Sequence, residues 1–488
     1  MVRQTQGARS LAGWSPVPPR RSRSVSAPAE RRGIHTELKD LPRPLLIYLL
    51  TIFLPIGFNL GPLLLTGTRL LLMVLIVPLT LRLIRGQYGR VTVTDLFFFF
   101  FVFWLLVAMI VYDPSRAPAH VGSVGVEFLG GYLITRSYVR TPAGFRSFCL
   151  AMGIFVLATL PLALIEMVTA KQIVPSLLEM IPGIQSARIS PPDRRFGLDR
   201  VSAIFDHAIL YGLVCATSFS LVLISLKGAI STTRRHRLAA IIGFCTFTSV
   251  SSAAFIALGM QMALLFWARA LHWFPGRWAL LAAIGIAVYG SITLIFGASP
   301  FDLVATNLTY NPQTAYHRTR ILYWGLQNVW NNPWTGIGLG DWKRPIDLYS
   351  ASVDNFWLLV AMRYGIPAFV AIAIGYILAI VSVSLRKVSG DPSFAEMRRG
   401  WVFSMIGLAF VLATVFVWGT AFSLVWSIFG AGIWMIHYRG PEAEAAGGLT
   451  ARFRAQHGSR LAPTPGCRVA ALPPANGGAP GTESQPNH

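Results

Sequence analysis

Long apolar runs alternate with short polar connections along this chain. The runs fall near 45–65, 69–85, 95–112, 119–135, 147–167, 204–225, 238–252, 254–270, 279–297, 366–385, 401–419 and 421–438. A bilayer crossing takes roughly 20 apolar residues, so the pattern predicts about 12 membrane-spanning helices. Every second connection is basic. Arg82, Arg85 and Arg90 form one such group, and Arg136, Arg140 and Arg146 the next. Lys227, Arg234, Arg235 and Arg237 follow, then Arg269 and Arg277, then Arg386, Lys387, Arg398 and Arg399. The positive-inside rule puts these loops and both termini in the cytoplasm. The expected fold is all-α: a polytopic membrane protein with a large periplasmic loop carrying short interfacial helices.

Composition agrees. The 488 residues are 54% hydrophobic and only 13% charged, and the mean hydropathy is +0.55. A soluble protein of this size could not bury so much apolar surface. The net charge of +22 invites a nucleic-acid reading, but the cations lie in the tails and short loops, where membrane topology expects them. Cys149, Cys215 and Cys245 fall in apolar runs and Cys467 in the C-terminal tail, without the spacing of a disulfide frame or a zinc site. Residues 1–42 and 440–488 are polar or rich in Gly, Ala and Pro and read as disordered cytoplasmic tails. Residues 43–439 form the membrane domain, with long outer connections at about 168–203 and 298–365.

Those two connections carry the candidate chemistry. Outer loops are expected to be poor in cations, yet Lys171, Arg188, Arg194, Arg195 and Arg200 occupy the first. Arg318, Arg320, Lys343, Arg344 and Arg363 occupy the second. Long loops translocate regardless of charge, so Lys171, Lys343 and Arg344 read as solvated surface. In "RILYWGLQNVWNNPW", Leu322, Leu326, Val329 and Trp330 recur at helical spacing up to Pro333. The pattern predicts a surface helix with Arg318 and Arg320 at its N-terminus. Cations are disfavoured there unless an anion binds between them and the backbone N–H groups. The plain alternative is a carboxylate partner elsewhere in the protein. "GIGLG" at 336–340 lacks the strand and the Lys-Ser/Thr of a nucleotide loop and reads as a turn. In "SVDNFWLLVAMRYG", residues 354–364 predict a short helix at the membrane interface, bent by Gly365 and Pro367 into the next span. Asp354 stands at its rim. Arg363 reads as neutralising an acid in the cavity, with Glu166 as the candidate ion-pair partner, as contacting the lipid phosphate, or as an interfacial snorkelling side chain. Trp324, Trp330, Trp334, Trp342 and Trp357 read mostly as an interfacial belt.

Three stretches, taken in order, resemble the bacterial O-antigen ligase and polymerase superfamily. "RILYWGLQNVWNNPWTGIGLG" is similar to the family's R-x-x-x-W…P-x-x-G-x-G-x-G, and "DNFWLLVAMRYG" to its HN-x-x-L…E-x-G. "RVSAIFDHAILYG" is similar to R-x-x-G-x-F-x-H-P-x-x-x-G, while "TGTRL" and "TVTD" fit the opening spans. The resemblance implies a metal-independent glycosyltransferase of the inner membrane that uses no cofactor. Such an enzyme takes a glycan from undecaprenyl pyrophosphate and passes it, on the periplasmic side, to a hydroxyl. The acceptor is another lipid-linked glycan in polymerases and the lipid A core in ligases; further partners are the lipid bilayer and other polysaccharide-export proteins. By motif, the arginines that hold the pyrophosphate correspond to Arg200 and Arg320, and the family's HN histidine to Asp354. The chain departs from the pattern with Asp at 354, Arg at 363, Ala208 for a proline and Ala203 for a glycine. Those departures favour a polymerase of O-antigen or exopolysaccharide over a ligase.

Glycosyl transfer from a diphosphate needs a stabilised leaving group, a held acceptor and a proton sink. Arg200 and Arg320 are assigned to the leaving group, assisted by Arg318, and Asp354 to the proton. His207, Asn355 and Arg363 complete the candidate substrate-binding set. A transporter is the competing class. It predicts charges near mid-membrane and internal repeats, whereas here the spans hold few charges and the polar residues crowd the outer loops.

Overall fold

The computed structural model describes residues 38–60, 63–186, 194–296, 312–348 and 351–440. Both tails lie almost wholly outside these residues, as do 187–193 and 297–311.

Helix boundaries follow from local capping chemistry. After α1 (Arg43–Phe53), a hairpin of β1 (Gly57–Leu60) and β2 (Leu63–Thr66) pairs antiparallel, Gly57 opposite Thr66. Thr66 then caps α2 (Gly67–Ile84) by accepting the Arg69 N–H. Thr92 and Asp95 form a reciprocal capping box at the start of α3 (Val93–Tyr112). The "TGTRL" and "TVTD" stretches are thus helix starts. The run near 119–135 is one interrupted rod: α4 (Ala117–Gly125), a π turn Val126–Gly130 and α5 (Gly131–Tyr138). Then come α6 (Pro142–Thr169), the short α7 (Ile173–Glu179) and a two-residue hairpin of β3 (Arg194–Arg195) and β4 (Leu198–Asp199). The chain continues through α8 (Ala208–Leu223), α9 (Thr232–Thr248), α10 (Ser252–Ala270) and α11 (Arg277–Phe296). After the undescribed stretch come α12 (Pro312–Asn331), α13 (Phe356–Leu385), α14 (Pro392–Leu412) and α15 (Gly419–Gly430).

The expected all-helical character holds apart from the two small hairpins. The count of about 12 spans is not reproduced. Among the described residues, seven helical segments are long and apolar enough to cross a bilayer: Gly67–Ile84, Val93–Tyr112, Pro142–Thr169, Ser252–Ala270, Arg277–Leu294, Phe356–Leu385 and Gly419–Ile436. The other apolar runs are helical too, but α1 and α8 are shorter, α4 and α5 are separated by the π turn, and α14 carries Glu396, Arg398 and Arg399 in its first turns.

Packing forms two groups. α8 is apolar all round and buried along nearly its whole length, with α6, α9, α10 and α14 against it. In the other group α13 lies along α3, and α15 along α5, which also meets α2. Small residues let these helices approach: a Cβ on Gly212 would meet Ser249 and Ala254 across the interface.

Connections of like character meet in space. Arg136 donates to the Tyr88 and Arg90 carbonyls, Arg140 to the Gln87 carbonyl, Arg386 to the Tyr438 carbonyl, and Lys227 pairs with Glu396. The basic loops therefore cohere at one end of the molecule. The long connections cohere separately: Gly57 bridges to Gln185, Ser202 N–H reaches Glu166, and Gly338 packs on Tyr112. We call these the basic end and the loop end.

At the loop end α13 breaks at Gly365, whose φ of 82° and ψ of 173° belong to a region open essentially to glycine alone. A Cβ there would overlap the Trp334 carbonyl oxygen. The break leaves carbonyls without helical partners, and the 336–340 glycine stretch supplies them. Ile337 N–H donates to Met362 O at 2.8 Å and Gly338 N–H to Arg363 O at 2.9 Å, while Ile366 N–H reaches Pro333 O at 2.7 Å. The positive φ of Gly336 and Gly338 turns both N–H groups toward the break. The expected bend at 365–367 is therefore present, and "GIGLG" is the turn that seals it.

Candidate functional site

α12 places the two arginines of the outer loop. The helix begins at Pro312, so Arg318 and Arg320 sit inside it. Its sequence up to Arg320 is polar, and no apolar period announces the earlier start. The expectation of two cations at a helix N-terminus is corrected, and with it the dipole argument. Residues two apart point to opposite sides of a helix, so the two guanidinium groups diverge.

Arg318 shares a face with Ile321 and Leu322. Together they line a narrow cleft with Asp354, Asn355, Leu358 and Ala413. The Arg318 Nε–H is buried and has no acceptor among the described residues. Burial pushes the Arg318 pKa down, the Asp354 carboxylate pulls it back up, and the Arg195 cation adds to the depression. Asp354 and Arg195 therefore both lie within electrostatic reach of Arg318. Asp354 also accepts from the Ser352 hydroxyl at 2.7 Å.

Arg320 turns the other way and makes a two-pronged ion pair with Asp347, at 2.5 and 2.8 Å. The plain alternative of a carboxylate partner is thus realised. The arginine is 19% exposed and the aspartate 65%. Two backbone ties hold the loop that carries Asp347: Asn328 Nδ2 donates to the Lys343 carbonyl, and Lys343 N–H returns to Asn328 Oδ1. Trp342, Leu348, Val353, Leu358 and Met362 form a small separate core beneath it. Trp342 therefore belongs to a core rather than an interfacial belt; Trp330 and Trp334 are exposed.

The remaining candidates take other stations. Asn355 caps α13, its Oδ1 accepting the Leu358 N–H at 3.0 Å. Arg200 is buried, and its Nε donates to the Ser249 carbonyl where α9 meets α10. His207 caps α8, its Nδ1 accepting the Ile209 N–H, so the neutral ring carries its proton on Nε2. Arg363 lies 5.9 Å from the centre of the Phe416 ring. Glu166 is not its partner: its two carboxylate oxygens accept the Ser202 and Ala203 N–H groups at 2.9 and 2.7 Å.

One short segment touches most of these stations. Ala413 walls the Arg318–Asp354 cleft, Phe416 faces Arg363 and stacks on Trp418, Trp418 meets the His207 ring, and a Cβ on Gly419 would overlap the Asp206 carboxylate. Residues 413–419 therefore link the cleft to the start of α8. Sequence reasoning missed this segment, because it is a plain apolar connection between two spans. It also missed Arg69, which pairs with Glu127 of the π turn at 2.8 Å, with Asp206 within electrostatic reach of that glutamate. His120 and the Tyr364 hydroxyl, 2.7 Å apart and close to Arg363, were likewise unanticipated. Among the described residues no three His, Cys, Asp or Glu side chains gather as metal ligands.

With seven helical segments among the described residues long and apolar enough to cross a bilayer, this is a membrane protein. Residues 238–373 match the family described as O-Antigen ligase. The match runs from α9 into α13 and includes Arg318, Arg320, Asp354, Asn355 and Arg363; Arg200 and His207 lie upstream of it. Over this stretch, residues 238–373 of 488, the chain is similar to the O-antigen ligase family, which supports a membrane protein of the O-antigen ligase/polymerase type. No curated protein matches it.

Proposed function

We propose that the protein is an inner-membrane glycosyltransferase that polymerises undecaprenyl-pyrophosphate-linked oligosaccharide units of O-antigen or exopolysaccharide on the periplasmic side. The observation that carries this reading is the cleft that Arg318, whose buried Nε–H has no acceptor among the described residues, lines together with Asp354. A guanidinium in a dry site stabilises the charge that develops on a departing diphosphate, and a carboxylate beside it is a base for an alcohol. In the reaction the acceptor hydroxyl oxygen bonds to the anomeric carbon as the bond from that carbon to the pyrophosphate oxygen breaks. The hydroxyl proton passes to Asp354, and undecaprenyl pyrophosphate leaves against Arg318. Arg200 and Arg320 retain the pyrophosphate-binding roles that the resemblance implies, with Arg320 released from Asp347 when substrate enters. His207 and Arg363 flank the sugar path along residues 413–419. No metal ion or cofactor enters this scheme. The basic end faces the cytoplasm, as the positive-inside rule requires.

A second reading is transfer to the lipid A core, favoured by the description of the matched family. Deletion of the gene followed by gel analysis of surface polysaccharide separates the two. Loss of long chains with single capped units retained is the expected result. Loss of all capping makes the protein a ligase, and an unchanged profile contradicts both.

A further inference from the structure

At the basic end a cavity of about 450 Å³ opens between the Tyr88–Arg90 turn, the end of α5, the end of α13 and the segment Ile433–Arg439. Arg90, Arg136, Arg140, Arg386, Arg439 and His437 line it, and among the described residues no carboxylate does. Arg136 is anchored by buried Asp95, and Arg386 by the Tyr438 carbonyl. Each guanidinium has five N–H donors; Asp95 and the Tyr88 and Arg90 carbonyls take four of those of Arg136, while Arg386 and Arg140 keep donors to spare. Arg136, Arg90 and Arg386 all act electrostatically on the His437 ring, with Asp95 opposing them. Trp434 lines the same cavity, and its buried Nε1–H has no acceptor among the described residues.

The positive-inside rule explains why cations lie at this end, not why they converge on one concavity. A second basic cavity at the same end makes the contrast. It is lined by Lys227, Arg235, Arg269 and Arg399, but Glu396 sits among them and bonds Lys227 and Arg399. That group carries its own counter-charge. In the first cavity Asp95, behind the wall, offsets Arg136 alone, and the remaining like charges, well within a Debye length, repel one another and call for an anion from outside. Phosphate suits a fan of guanidinium groups. Its source follows from the neighbouring surface: α2 and α13 leave Ile84 and Leu385 exposed just before the lining residues. Tyr88, Trp434 and Tyr438 supply the aromatic character of a headgroup layer.

We propose that this cavity binds a phosphate group, supplied by the headgroup of an anionic phospholipid. The test uses the full chain purified in detergent, given phosphatidylglycerol, phosphatidylcholine or inorganic phosphate and read by native mass spectrometry. A lining variant, Arg90→Gln/Arg140→Gln/Arg439→Gln, is compared with an equally discharged control, Arg85→Gln/Arg234→Gln/Arg237→Gln. Wild type and control should retain phosphatidylglycerol but not phosphatidylcholine, and the lining variant should lose on the order of tenfold or more in affinity. If the triple variant does not elute as the wild type does, Arg90→Gln alone serves, with a smaller loss expected. Retention of inorganic phosphate without phosphatidylglycerol would keep the phosphate site and overturn its lipid source. Equal retention by lining variant and control, or no phosphate-bearing ligand at all, would overturn the site.

Discussion

At the residue scale, the proposed chemistry depends on which of two neighbouring arginines meets Asp354. The sequence motif points to Arg320, yet the turn of the helix brings Arg318 to the cleft and Arg320 to Asp347. That distinction was within reach of the sequence. Ile321 and Leu322 are three and four residues on from Arg318, so the apolar face that locates the helix also locates Arg318. The Asp347 contact was not legible, because it depends on the path of the loop held by Asn328. Replacing Arg318 by Gln should lower turnover about 10²–10³-fold, measured as release of lipid pyrophosphate at matched protein levels. Asp347→Ala should barely change thermal stability, since an exposed ion pair contributes little. It should lower the KM for a lipid-diphosphate donor by freeing Arg320; a KM that stays put would remove Arg320 from the diphosphate site. Arg320 hydrogen bonds hold the Asp347 carboxyl below the usual carboxylate range. A depressed carboxyl keeps its ion pair above that range and loses it only as pH falls through the lowered value. The KM effect of Asp347→Ala should therefore persist from about pH 5 to pH 8.

At the element scale, the break in α13 positions the chemistry. Asn355 fixes where the helix starts, and Gly365 fixes where its first turns stop. Together they hold Asp354 and Arg363 at opposite ends of one short rod. Gly365→Ala should cost about 3 kcal/mol or more, because a side chain meets both a forbidden backbone region and the Trp334 carbonyl. Thermal unfolding in detergent should show it, and a wild-type midpoint would contradict the sealed break. The bend itself was legible from Gly365 and Pro367, as was the turn character of 336–340. Their pairing was not: N–H groups of one meet carbonyls exposed by the other, and neither segment announces the partner. Residues 413–419 left no signal for the same reason, since their role comes from what three distant elements bring to them.

At the scale of the whole molecule, the alternation of basic connections was the most legible feature. Those loops meet one another at one end, and the arginine-bearing long loops meet at the other. The number of crossings was less legible, because hydropathy does not register that α8 is short or that a π turn interrupts the rod around Glu127. Topology reporters fused after Gly89 and within 344–348 should report opposite sides of the membrane, with the first cytoplasmic. A cytoplasmic signal from 344–348 would put the cleft on the wrong face for a periplasmic reaction.

The most direct measurement is turnover of an undecaprenyl-pyrophosphate-linked repeat unit by the purified protein, wild type against Asp354→Asn. Wild type should release lipid pyrophosphate and build longer glycans, with Asp354→Asn slower by about 10²–10⁴-fold at unchanged stability. Turnover by Asp354→Asn at the wild-type rate would contradict the assignment of the cleft as the place where transfer occurs.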